Sequence, residues 1–218
     1  MTVKFGLQHI LKTDLMAIKM DVIILAAGLS KRMGTKNKLL LDFQKSTILE
    51  STISNILKST FQKVIVVLGH EGVKLGRIIE RSFPNIEMAY NSNYQSGQVS
   101  SVKTGLKVLD SDFPFMVALG DMPFIDSKEY QILTSVFFDN NIKRPSILRP
   151  FSSDGRVGNP VVFDQSFKAA LLANKDLETS KSMLQKNKGA LVKWETNVPS
   201  YFKDIDTFSD YKDMIRKI

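Results

Sequence analysis

Cysteine is absent from this 218-residue sequence, which excludes disulfides, thiolate metal sites, iron–sulfur clusters and cysteine nucleophiles. Histidine is nearly absent: His9 and His70 are the only two, too few for a multi-histidine metal centre. No apolar run approaches the about 18 residues that a membrane-spanning helix requires. The first twenty residues carry Lys4, Lys12, Asp14 and Lys19 and offer neither an uninterrupted apolar segment nor a small-residue cleavage pattern. Pro/Gly/Ser-rich linkers, internal repeats and low-complexity tracts are missing as well. The expectation is a cytoplasmic protein in which residues 1–20 form an N-terminal extension, with no function attached to it, and residues 21–218 form a single domain.

What the sequence does contain is an ordinary globular mixture: 43% hydrophobic and 24% charged residues, with 12 Gly and 7 Pro. A chain of this length buries roughly 70% of its unfolded surface, so a large core needs no covalent staples. Lys and Arg number 30 against 22 Asp and Glu, a formal charge of +8 that suits a polyanionic ligand. No basic run exceeds two residues, however, and only Arg144 and Arg149 come near the clustered arginines of a nucleic-acid surface. Neither nucleic acid nor a membrane is expected as a partner, and a solvated lysine-rich surface accounts for much of the charge.

From Asp21 onward, short apolar runs alternate with helix-like segments. Val22–Ala27, Lys63–Gly69, Ile86–Asn91 and Phe115–Gly120 read as strands, the first buried on both faces. Between them, apolar residues recur at three-to-four spacing around Ile48–Leu57, Val73–Ile79 and Val99–Leu109. That alternation predicts βαβ units and a mostly parallel sheet. Beyond Pro123 the spacing predicts helices at Ser127–Asp139, Phe167–Ala173, Thr179–Lys186 and Phe208–Lys217, with strands at Ser146–Leu148, Val161–Phe163 and Ala190–Glu195.

The first strand runs into Leu25-Ala-Ala-Gly-Leu-Ser-Lys-Arg-Met-Gly34. Parallel α/β sheets place ligands outside the carboxyl ends of their strands, and a small-residue loop there offers consecutive N–H groups to an anion. Gly28 and Gly34 are expected to take positive φ angles and let the backbone approach the ligand. Arg32 within the loop and Lys38 just after it add fixed cations, the combination a triphosphate requires. The loop is neither a dinucleotide fingerprint nor a kinase-type P-loop, because Gly28 is followed by Leu29-Ser30 and Gly34 by Thr35-Lys36-Asn37. Asp121 stands at the carboxyl end of the fourth apolar run, with Pro123 closing the strand. Ser127 is the expected cap of the next helix, which leaves Asp121 for a ligand such as Mg2+.

These segments resemble the nucleotidyltransferases that process molybdenum cofactor, and within them the molybdenum cofactor cytidylyltransferases. The resemblance is carried by Leu25–Gly34 with Asn37-Lys38-Leu39-Leu40, by Asn91–Gly97 with Ser100, Ser101 and Gly105-Leu106, by Gly120-Asp121-Met122-Pro123-Phe124, by Gly158–Phe163 and by Asp204-Ile205-Asp206-Thr207. It runs from about residue 20 to the end.

The resemblance implies a three-layer α/β/α Rossmann-like fold of the GT-A nucleotidyltransferase type, with a mostly parallel mixed sheet. It implies transfer of a nucleotide, CMP from CTP being favoured, to a phosphorylated acceptor, molybdopterin being favoured, with release of pyrophosphate. Leu25, Ala26, Ala27, Gly28, Ser30, Arg32, Lys38, Gly97, Ser100 and Ser101 would bind the nucleotide. Arg32, Lys38 and Asp121 would be catalytic; Asp121 and Asp206 would hold Mg2+, with Asp204 as the alternative to Asp206. Gly158, Asn159 and Pro160 would line the acceptor side, and a molybdoenzyme or its maturation factor is an implied partner. Two departures bear on substrate choice. Asn174–Ser182 lacks the family's Gly-Ala-Arg element, leaving only Asp176 to match, and Gln98-Val99 replace a Met and a small residue. Other acceptors (a sugar 1-phosphate, phosphocholine, methylerythritol phosphate) therefore stay open, as does a non-catalytic role in cofactor delivery.

Overall fold

The computed structural model describes residues 2–3, 18–34, 36–141, 145–173 and 186–215. The expected helix at Thr179–Lys186 falls, but for Lys186, outside the described residues, as do Asp176 and most of the extension. Ten strands are described: β1 (Thr2–Val3), β2 (Ile18–Ala26), β3 (Asp42–Phe43), β4 (Ser46–Thr47), β5 (Phe61–Leu68), β6 (Glu87–Tyr90), β7 (Phe115–Leu119), β8 (Ile147–Phe151), β9 (Val161–Phe163) and β10 (Leu191–Glu195). The helices are α1 (Ile48–Leu57), α2 (Gly72–Ser82), α3 (Gln98–Val108), α4 (Ser127–Asn141), α5 (Phe167–Ala173) and α6 (Phe208–Ile215).

Eight strands form one sheet in the order β1-β10-β8-β9-β7-β2-β5-β6, while β3 and β4 pair as a small separate hairpin. Only β9 runs against its neighbours, so the sheet is mixed but mostly parallel, as expected. The strands alternate between two cores. Val22, Ile24 and Ala26 of β2 join Met116 and Ala118 of β7 under α1, α2 and α4, whereas Ile23, Ile65, Val67, Phe115 and Val117 face α3 and α5. A sheet covered on both faces accounts for the unbroken apolar runs in the sequence. Three layers result.

The α3 layer lies close to the sheet. A Cβ at Gly105 would stand 2.5 Å from Ile23 Cγ2, so only glycine admits this approach. Some boundaries differ from the sequence reading. The first strand starts at Ile18, four residues ahead of the expected Val22, where Ile18 N–H reaches back to the Thr60 carbonyl at 3.0 Å. Thr2–Val3 add an outer parallel strand to β10, a pairing too short to leave a periodic signal.

The connections set up the site. From β2 the chain steps outward to β5 and β6, then returns to place β7 on the other side of β2. The carboxyl ends of β2 and β7 thus flank the point where strand order reverses, the natural crevice of an open α/β sheet. Leu25 and Leu119 sit in register across it, and Gly120 N–H bonds the Leu25 carbonyl at 3.0 Å.

Candidate active site

A cleft of about 450 Å3 opens at this crevice. Its wall includes Leu25, Ala27, Gly28, Ser30, Arg32 and Lys38 from the first loop, Gly97 and Ser101 from the second, and Asp121, Asp204 and Asp206. Segments far apart in the chain therefore meet as the sequence analysis expects.

The glycine loop is braced from within. Ser30 takes a left-handed conformation (φ 49°), and its hydroxyl accepts the Lys38 N–H at 3.3 Å. Gly34 also has positive φ, at 68°, but Gly28 does not, contrary to expectation; the left-handed turn falls on Ser30 instead. What Gly28 contributes is room: a Cβ there would meet nothing within 4 Å, so the cleft floor stays open. Asn37 accepts the Leu39 N–H at 3.1 Å and caps the short turn Lys38–Leu40. This turn projects the lysine across to the far wall.

There the charges converge. Lys38 Nζ contacts Asp121 Oδ2 and, at 3.2 Å, Asp206 Oδ1, while Arg32 Nη2 lies 2.8 Å from Asp206 Oδ2. Burial works against the Lys38 ammonium, but Asp121 and Asp206 beside it prevail and hold its pKa above the ordinary lysine value. Burial, reinforced by Asp206 and Asp121, raises the pKa of Asp204. Asp206 is spared from capping: Thr207 accepts the Asp210 N–H at 3.1 Å and starts α6. Asp121 is spared too, though the cap of α4 is Asp126 rather than Ser127. Asp126 Oδ1 accepts the Glu129 N–H at 2.8 Å, and Glu129 returns the bond to Asp126 N–H at 2.9 Å.

The donors present fit a divalent cation. Asp121 Oδ1 is buried and has no hydrogen-bond partner. Among the described residues, no group of three or more His, Asp or Glu could hold a metal on its own. Two carboxylates completed by phosphate oxygens and water is the arrangement Mg2+ commonly takes. Asp121 and Asp206 are the residues that would supply it.

The second wall is organised by Asn91, which is buried beneath it. Its Nδ2 donates to Ser100 Oγ at 2.8 Å and Ser101 Oγ at 3.0 Å, and its Oδ1 accepts the Asn93 N–H at 2.9 Å. Ser100, expected to touch the nucleotide, instead directs its hydroxyl to the carbonyls of Gly97 and Asn93, at 2.8 and 3.0 Å, and is not part of the cleft wall. Ala26 packs into the core at 1% exposure and is likewise outside the wall.

Gly158, Asn159 and Pro160 do not line this cleft either. They form the turn into β9, where Arg149 Nε donates to the Gly158 carbonyl at 2.7 Å and Asn159 N–H bonds the Tyr201 carbonyl at 2.9 Å. A Cβ at Gly158 would stand 2.7 Å from that same carbonyl. Wall residues that the sequence analysis did not assign to the site include Lys31, Tyr94, Gln95 and Gln98. Their position beside Gly34 and Gly97 in the chain was the available signal.

Comparison with known proteins agrees with this geometry. Residues 22–191 match the MobA-like NTP transferase domain. A probable molybdenum cofactor guanylyltransferase of Methanosarcina acetivorans is 32% identical over 116 residues, covering 52% of this chain and 51% of the relative. The molybdenum cofactor cytidylyltransferase of Escherichia coli is 34% identical over 123 residues, 56% of this chain and 62% of the relative. Each alignment thus spans less than two thirds of the curated relative it matches. Among solved structures, Rv0371c of Mycobacterium tuberculosis H37Rv, in complex with manganese, shares the fold at a TM-score of 0.71 and 19% identity, covering 91% of this chain and 99% of that one. With the glycine loop, the lysine and the strand-end carboxylate in one crevice and the match running through most of the chain, this protein belongs to the MobA-like NTP transferase domain family.

Proposed function

We propose that the cleft transfers a nucleotide from a nucleoside triphosphate to a phosphorylated small molecule and releases pyrophosphate. The observation that carries this reading is the meeting of the β2 loop, Lys38 and Arg32 with Asp121 and Asp206 at the strand-order reversal. CTP is the favoured nucleotide, because Ala26-Ala27-Gly28 with Ser30 resembles the cytidine-type loop, and molybdopterin is the favoured acceptor. A molybdoenzyme or its maturation factor would then take the product.

A phosphate oxygen of the acceptor attacks the α-phosphorus, a new P–O bond forms, and the bond to the β-phosphate oxygen breaks with its electrons leaving on pyrophosphate. The nucleophile is already an anion, so the chain need not supply a general base. What it must supply is alignment and neutralisation of charge on the non-bridging and leaving oxygens. The N–H groups around Gly28 cradle the phosphates, and Arg32 and Lys38 offset their charge. Gly97 and Ser101 on the cleft wall would face the nucleoside, with Asn91 holding Ser101 in place. Asp121 and Asp206 would hold Mg2+, which when bound neutralises charge on the phosphate oxygens. Gly158, Asn159 and Pro160, buttressed by Arg149, lie outside the cleft wall and are given no contact with the acceptor in this reading.

The test is pyrophosphate release with purified protein and Mg2+, pairing each of the four triphosphates with molybdopterin, a sugar 1-phosphate, phosphocholine and methylerythritol phosphate. The expected result is release that depends on both CTP and molybdopterin. Tight binding of molybdopterin with no release from any triphosphate would instead favour a cofactor-delivery role.

A further inference from the structure

Three of the four oxygens on Asp121 and Asp206 are engaged by the protein's own cations. Lys38 Nζ reaches Asp121 Oδ2 and Asp206 Oδ1, and Arg32 holds Asp206 Oδ2. The fourth, Asp121 Oδ1, is buried without a partner. The Lys38 side chain is 16% exposed, so its ammonium lies between the carboxylates rather than beside them in solvent. Two carboxylates, one lysine and one arginine sum to zero charge. A divalent cation bridging the pair would need the space that Nζ fills and would leave two excess positive charges among these four groups.

We propose, building on the functional reading above, that Lys38 is an internal counter-ion that excludes the metal until a triphosphate draws it away. The glycine loop lies along the same wall as Lys38, and a phosphate bound there is an alternative anion within reach of a four-carbon side chain. Lys38 leaves the carboxylates for the phosphate, Arg32 follows on the more exposed side, and the pair becomes available to a divalent cation. Metal and triphosphate binding are thereby coupled through one lysine, and linkage makes the coupling reciprocal. The lysine also keeps two adjacent carboxylates from repelling one another while the cleft waits for substrate.

The proposal is tested by binding, not turnover. Mn2+ titrations followed by electron paramagnetic resonance, without nucleotide, would compare wild type with Lys38→Gln and Lys38→Arg. The expected result is at least tenfold tighter Mn2+ binding by Lys38→Gln and no gain for Lys38→Arg, which keeps the charge. Circular dichroism checks that the variants are folded. Wild type alone gives an independent reading: Mn2+ should bind the CTP-loaded protein at least tenfold more tightly than it binds either the protein or CTP alone. If Lys38→Gln binds Mn2+ no better than wild type, or wild type binds Mn2+ equally well with and without CTP, the proposal is overturned while the functional reading stands. If no triphosphate binds in any form, both fall together.

Discussion

Lys38 is where the chemistry of the cleft concentrates, because one ammonium faces two carboxylates and, in the functional reading, a triphosphate. Removing it takes away charge stabilisation of the kind an oxyanion donor supplies, worth about 3 kcal/mol or roughly 100-fold in rate. Lys38→Ala and Asp121→Ala should each lower kcat by at least that factor in a pyrophosphate-release assay, and variants as fast as wild type would dismiss the site assignment. A second residue prediction concerns Asp21, the fourth residue of β2. It is fully buried, accepts a hydrogen bond from Ser111 through Oδ2, and leaves Oδ1 without a partner. Burial raises its pKa above 3.8, outweighing the Ser111 hydrogen bond and the attraction of Lys63. The folded protein then holds a proton that the unfolded chain has lost, so this group's contribution falls as pH rises from 3.8 to the folded pKa. The difference in Tm between wild type and Asp21→Asn should therefore shift against wild type as pH is raised from 4 to 7 in thermal melts. A constant difference would show that Asp21 does not titrate this way.

At the scale of elements, the strand ends that carry the site are held by helices placed for packing. Asn55 on α1 donates both Nδ2 protons into the turn after Asp121, to the Pro123 carbonyl at 3.1 Å and the Ile125 carbonyl at 3.0 Å. Asn55→Ala should cost about 1–2 kcal/mol in urea unfolding with an unchanged m value. It should also lower kcat, because the turn that presents Asp121 loses its clamp; unchanged stability and kcat would deny the clamp. The sequence showed most of these elements because a sheet buried on both faces leaves uninterrupted apolar runs, and its covering helices leave one apolar stripe each. It hid those whose formation depends on neighbours. Thr2–Val3 becomes a strand only by pairing with β10, and β3 and β4 span two residues each. The cap of α4 was placed one residue late because Asp126 and Ser127 are both good caps, and only the reciprocal bond with Glu129 decides between them.

For the molecule as a whole, the same logic separates what was readable in the site from what was not. The meeting of Gly28, Arg32, Lys38, Asp121 and Asp206 at one crevice could be read from their residue types and their order at strand ends, because the fold brings those ends together. Ser100 and Ser101 look alike in sequence, as two adjacent serines at a helix start, and Asn91 bonds both, but the Asn93 and Gly97 carbonyls take the hydroxyl of Ser100 into bracing the loop. Tyr94 and Gln95 lie in a segment that carried the resemblance and Gln98 was read as a departure bearing on substrate choice, but none was assigned a contact, since their presence on the wall depends on the path of the loop. The net charge of +8 accords with a phosphorylated ligand, and no helix among the described residues is long and apolar enough to cross a membrane.

The central claim is that this crevice grips a nucleoside triphosphate together with a divalent cation. Thermal melts of the wild type with each of the four triphosphates, with and without Mg2+, test it most directly. At 100 times its dissociation constant the correct nucleotide should add about 2.7 kcal/mol, a rise in Tm of roughly 5–10 °C for a chain of this size. The account predicts such a rise for CTP with Mg2+, and its loss in Asp121→Ala. A Tm unmoved by every triphosphate at millimolar concentration would contradict it.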